Sequence, residues 1–595
     1  METLVLSIFD YIIIVAMLAV SAGIGVFFGV RSGRHQSSND YFLGNRGMSV
    51  IPVAISLAAT IMSAITYLGT PAEVYLHGPQ YGLMFVVRAH VPLIIMYCFV
   101  PVFYRLKLTT MFEYLELRFN NTVRFVVVAI TGINDFIYMG IVVYTPALAL
   151  STVTGINLSF SILSIGIICT FYTTIGGMKA VIWTDVFQAV SMILGATVMI
   201  VVGTVSIGGP SEGWRRAEEG GRGKLVDFNI DPTVRISFWN IMIGGSILWT
   251  MIGGTKQSVI QRYNSCATER DAKRAAWFGM IGMGVIELLA VITGMTVYAY
   301  YYDCDPLTSG EISRPDQIVP YFMMDVFHSY PGVPGILIGG AFCASLSSMS
   351  SVLNGLAAAT GQDIIKTIWP DMSDMKYSML VKIISAIYGI LTIVLAFLAS
   401  VLGDVLQTSI AIGGILGGPI LGVFILGLFF PRANSSGVLV GLIGGSLIGL
   451  IKYVGSRISP PDEHLPPMST SGCNVSSFIT NVNVSDYIDN FAGSEMTKIT
   501  ELTTSSSDMY APYKPENDSF FHISYMYISL ITGCTCVVLG LIVSYVTSRR
   551  HRRLADPKYL APIIARYYTK GNNVNDNNTS IDKKQEYVSL EQLKL

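Results

Sequence analysis

Apolar runs of about twenty residues recur from one end of the chain to the other, each long enough to cross a bilayer core as a helix. A backbone in lipid must hydrogen-bond to itself, which leaves helices or closed barrels. Runs of this length select helices. Thirteen spans are expected, near 8–30, 48–76, 80–104, 122–150, 157–175, 180–207, 238–260, 275–302, 328–362, 376–401, 404–429, 433–455 and 521–548. The chain is 52% hydrophobic and 13% charged, where a soluble protein carries roughly a quarter charged residues. The expected fold class is an all-α polytopic membrane protein. A net charge of −1 gives no reason to expect a nucleic-acid partner. The run Ile8–Val30 is too long for a signal-peptide core and follows no basic stretch, so it reads as a retained span.

Lys and Arg in short loops set the orientation. Arg31, Arg34 and Arg46 follow span 1, and Arg105, Lys107, Arg118 and Arg124 follow span 3. Arg262, Arg270, Lys273 and Arg274 follow span 7, and RRHRR (549–553) follows span 13. All fall on one side if the N-terminus is outside and the C-terminus cytoplasmic, as in a multi-pass plasma-membrane protein. The segment from Arg457 to Phe520 lies opposite, with nine acidic and three basic residues and sequons at Asn474, Asn483 and Asn517. Glycosylation is expected there, and not at Asn120, Asn434, Asn577 or Asn578. Cys304 and Cys473 both fall outside, as a disulfide or as two free thiols; the eight cysteines show no metal-ligand spacing. The tail after Pro557 reads as disordered. Its last residues, Leu593–Leu595, are either a frayed end or a weak PDZ-type ligand.

Two spans look interrupted. Span 2 carries hydroxyls at Ser56, Thr60, Ser63, Thr66 and Thr70 and then Pro71, which removes a backbone donor. Span 7 has glycine pairs at 244–245 and 253–254. The two are five spans apart, and an odd shift inverts the topology. Interrupted helices at matching places in inverted halves point to a transporter's midplane site, although Gly and Pro are common in membrane helices anyway. Span 9 packs five serines and an asparagine into residues 345–354. Ala344, Ser347 and Ser348 share a helical face. They offer oxygen ligands to a monovalent cation, or simply a close helix–helix contact.

The segment GGMKAVIWTDVFQ (176–188) closely resembles the hallmark of the sodium:solute symporters, in the form typical of the iodide, monocarboxylate and multivitamin branch. IYMGIVVYTPALAL (137–150), QRY (261–263), SLSSMSSVLNG (345–355) and GGPILGVFILGLFFP (417–431) extend the resemblance over spans 2 to 12. It implies a LeuT-like fold with inverted repeats at 48–207 (spans 2–6) and 238–429 (spans 7–11). Residues 1–47 precede them; two C-terminal spans (430–548, with the outer loop 456–520) and the tail 549–595 follow. It implies sodium as coupling ion, held by carbonyls of Ala59, Met62 and Ala344 and hydroxyls of Ser347 and Ser348, with Asp185 and Gln188 on the inner side. The substrate cavity would be lined by Thr60, Ser63, Thr66, Tyr144, Trp249 and Gln407. Thr66 stands where the iodide transporter has glutamine. No other cofactor is expected.

Arg88, Asp135 and Glu287 lie inside spans 3, 4 and 8, and Lys256 precedes Gln257 where the branch has asparagine. Unpaired, each costs at least about 2–3 kcal/mol at the bilayer centre. Arg88 is expected to pair with Asp135 or Glu287, or else to meet a substrate carboxylate. The expected activity is import of a small anionic solute, a monocarboxylate or a carboxylate vitamin, by alternating access. About 2.3 kcal/mol per charge per 100 mV plus about 1.4 kcal/mol per tenfold gradient lets one sodium drive roughly 500-fold accumulation of a neutral solute. Alternatives are a sugar or iodide symporter, a solute sensor or leak channel, and a proton at Asp135 as second ion. No catalytic constellation points to an enzyme.

Overall fold

The computed structural model describes residues 6–31, 38–399, 405–460, 465–473, 520–547 and 554–567. The sequons at Asn474, Asn483, Asn517, Asn577 and Asn578, the RRHRR cluster and Leu593–Leu595 lie outside the described residues. Ten helices within them are long and apolar enough to cross a membrane, and the pair Val50–Ile61 and Ile65–His77, bent by 62°, adds an eleventh as span 2.

Helix Leu158–Ser206 holds 49 residues. Straight, it would run about 73 Å, more than twice the bilayer core of about 30 Å. It turns at Gly177, whose φ of 62° and ψ of −165° suit only glycine. The halves fold back on one another. Gln188 reaches Ser21 of span 1 at 3.4 Å, and Gly25, one turn further on, packs against Tyr172. This helix therefore supplies spans 5 and 6. Span 7 is also split: Asn240–Thr255 and Gln257–Ser265 are separated by Lys256 in an extended conformation. With those divisions the described helices provide all thirteen expected spans.

Some boundaries differ. Span 9 starts at Val333, not near 328, because Ile318–Phe327 forms its own helix and Gly332 turns the chain at a φ of 95°. It runs on to Ile368. Short helices at Met111–Arg118 and Pro210–Glu219 fill connections. Both are too short and too polar to show in a search for spans.

Burial explains the serines of span 9. Its most apolar stretch is 94% buried, against 17% for span 1 at the periphery. Span 9 is the central post of the bundle, and its hydroxyls face protein rather than lipid. Cys304 and Cys473 form a disulfide, resolving the choice the sequence left open. Asn120 and Asn434 cap spans 4 and 12, with side chains accepting from Val123 and Gly437 at 2.9 Å.

Candidate functional site

Span 2 breaks at Met62, where ψ is 84°. The Ser63 amide donates to Ile61 O instead of Ala59 O, and the Thr66 amide to Ser63 O instead of Met62 O. The carbonyls of Ala59 and Met62 thus lose their usual helical partners in the buried centre of the bundle. Span 9 faces this break. Ser348 Oγ donates to Thr60 O at 2.9 Å and Ser347 Oγ to Asp185 Oδ1 at 2.6 Å. A hydroxyl that gives its proton away keeps its lone pairs for a cation. Ala344, one turn away on span 9, is wholly buried.

Asp185 of span 6 gathers four spans. Its Oδ2 accepts from Ser56 at 2.5 Å, Thr60 at 3.3 Å and Arg262 Nη2 at 2.7 Å. Arg262 lies in the second piece of span 7. Its Nε donates to Ser56 Oγ at 2.7 Å and its Nη2 to Ser351 Oγ at 2.5 Å. Both side chains of the ion pair have no solvent exposure. The arginine was visible in the QRY motif, but its role was not; a buried acid needing a cation is the signal that could have led to it. Gln188, one turn from Asp185, turns instead to Ser21, and its Oε1 has no hydrogen-bond partner.

Beside this cluster lies an open cavity between spans 2, 3, 4, 7, 8 and 11. Ser63, Thr66 and Trp249 line it, as do Arg88, Asp135, Lys256 and Glu287. The other expected lining residues are placed elsewhere. Thr60 points into the Asp185 cluster and also meets Ser351 Oγ at 3.0 Å. Tyr144 accepts from Arg314, in the connection between spans 8 and 9, at 3.2 Å. Gln407 accepts from Arg235 at 3.4 Å, and Arg235 grips Glu73 of span 2 with two 2.8 Å bonds. The intramembrane charges are paired: Arg88 with Glu287 at 2.6 Å and Lys256 with Asp135 at 3.9 Å. Arg88 also lies 3.8 Å from the Trp249 ring centre and 3.7 Å from Met62 Sδ. The residue at the break thus touches an arginine of the cavity wall.

Residues 41–445 match the sodium:solute symporter family. The chain belongs to that family. It is 40% identical over 557 residues to sodium-coupled monocarboxylate transporter 1 of Homo sapiens, covering 93% of this chain and 89% of the relative. It is 39% identical over 561 residues to the sodium/iodide cotransporter of Homo sapiens, covering 94% and 86%. A solved structure of a Na+-coupled sialic acid symporter superposes with a TM-score of 0.70 at 22% identity, over 92% of this chain and 99% of that one. This symporter shares its fold, the LeuT-like arrangement. The protein is a sodium-coupled solute symporter and not an enzyme.

Proposed function

We propose that the protein imports a small organic carboxylate across the plasma membrane by alternating access. The observation that carries this reading is the shared break in span 2. Ser348 of span 9 meets Thr60 O just before the break, Ser63 just after it lines the cavity, and Met62 touches Arg88 of the cavity wall. Sodium bound by Ala59, Met62, Ala344, Ser347 and Ser348 would fix the break and with it one wall of the solute site. Asp185 holds the Ser347 proton and, with Arg262, ties spans 2, 6, 7 and 9 together on the inner side. Opening that tie would release the ion inward. Unpaired donors in the cavity, the Trp249 indole N–H and Arg88 Nε–H, favour a solute rich in acceptors. The N-terminus is placed outside and the C-terminus inside, from the basic loops.

The test is radiotracer accumulation in oocytes, with voltage recorded, in sodium against choline, for lactate, pyruvate, biotin, pantothenate, glucose and iodide. Sodium-dependent accumulation of a carboxylate supports the proposal. Accumulation of iodide alone, as the 39% identity to the iodide cotransporter allows, or of glucose alone, refutes it. Solute-evoked current without accumulation makes the protein a sensor or leak channel.

A further inference from the structure

The ion cluster does not use the two charge pairs on the cavity wall, and the polar atoms around them are incomplete in opposite senses. One end has donors without acceptors. Arg88 is 1% exposed and Trp249 6%. Neither the Arg88 Nε–H nor the Trp249 indole N–H has a hydrogen-bond partner, and both residues line the cavity. The other end has a carboxylate that receives no hydrogen bond from its cation, beside a hydroxyl that can donate or accept. Asp135 is buried, and Lys256 Nζ approaches it only to 3.9 Å, beyond hydrogen-bond length. Thr131, four residues earlier on the same face of span 4, has a buried hydroxyl without a partner. Tyr138, three residues after Asp135, carries the Lys256 ammonium 4.0 Å from its ring centre. This end already accepts an ammonium, and holds it loosely. Trp249 and Lys256 are seven residues apart on span 7, about 10 Å along the helix, so the two ends are separate.

The four charged residues of the wall cancel: Arg88 and Lys256 against Glu287 and Asp135. A plain carboxylate would satisfy the donor end and leave Asp135 with only the distant Lys256 ammonium. A dicarboxylate would bring a second anion against Asp135. A solute with a carboxylate at one end and an ammonium at the other completes both ends without adding net charge.

We propose that the substrate is an ω-amino carboxylate. Its carboxylate is held by Arg88 Nε and Trp249 Nε1, and its ammonium by Asp135 and Thr131 Oγ1 in place of Lys256 Nζ. This deepens the carboxylate-symport reading and rests on it. Because the solute is neutral overall, one sodium would make each cycle electrogenic.

The test is uptake and competition by the full chain in oocytes, with surface protein quantified. The probes are butyrate, succinate and ω-amino acids of three to six carbons. One ω-amino acid should compete at a concentration at least tenfold below butyrate and succinate. Asp135→Asn should lower that selectivity ratio at least tenfold, and Lys256→Met should raise it. Preference for butyrate or succinate, silence toward all ω-amino acids, or a ratio unmoved by Asp135→Asn in a surface-expressed variant would overturn the proposal. Sodium-dependent charge movement on voltage steps separates the two readings. Present without ω-amino acid recognition, it sinks only this inference; absent, it sinks the symport reading as well.

Discussion

Replacing Arg262 by methionine probes the inner half of the protein most directly. Arg262 joins span 7 to Ser56 of span 2, Asp185 of span 6 and Ser351 of span 9. Its removal leaves the Asp185 charge fully buried without a cation, which costs about 3–5 kcal/mol. Ser56, Thr60 and Ser347 still donate to the carboxylate, so the lower figure is the better one. About 3 kcal/mol moves the balance toward an opened inner half on the order of 100-fold. The assay places cysteine at Asn354, one turn beyond Ser351 on span 9. Asn354 is buried, and neither of its amide atoms has a hydrogen-bond partner. Labelling by a membrane-impermeant maleimide in inside-out vesicles should quicken at least tenfold in Arg262→Met. Asp185→Asn with Arg262→Met should label more slowly than Arg262→Met alone, because no charge is then stranded. An unchanged rate in Arg262→Met, or a double variant that labels as fast, would refute the assignment of this pair to inner closure.

Ser347→Ala and Ser348→Ala each remove one oxygen from the expected sodium site. A bond to a charged group is worth about 1.5–3 kcal/mol, so half-saturating sodium should rise on the order of 10- to 100-fold in flux titrations. Arg88→Ala strands Glu287, whose side chain is 3% exposed; surface biotinylation should fall sharply, and Arg88→Met with Glu287→Gln should restore expression without restoring uptake. Arg235→Ala breaks the bidentate grip on Glu73, and a truncated buried pair costs about 2–5 kcal/mol, so uptake per surface molecule should fall at least tenfold. Cys304→Ser should lower surface expression, since losing a native disulfide typically costs about 2–5 kcal/mol; Cys473→Ser should do no more damage in that background.

The spans were legible because length and hydropathy are local properties. Even the turn between spans 5 and 6 is marked by the Gly176–Gly177 pair. The freed carbonyls of Ala59 and Met62 came from the family resemblance, and the amides that abandon them fit it. Side-chain direction was harder to read. Ser56 and Thr60 are four residues apart before the break and share one face, which the Asp185 cluster claims; Ser63 follows the break and turns to the cavity. The resemblance put Thr60 in the cavity with Ser63 and Thr66, but the break gives those residues separate faces. Tyr144 and Gln407 were expected there from the family resemblance as well. Each is engaged by an arginine from a connection between spans, Arg314 and Arg235, and hydropathy carries no sign of where such a cation docks. That Arg88 needed an acid followed from the cost of an unpaired intramembrane charge. The choice of Glu287 over Asp135 did not, because it depends on spans 3 and 8 packing side by side across 199 residues of chain. With Arg88 held by Glu287, only Lys256 is left to reach Asp135, and it reaches it loosely. The looseness that a list of charges hides is the observation on which the proposed ammonium site at this end of the cavity rests.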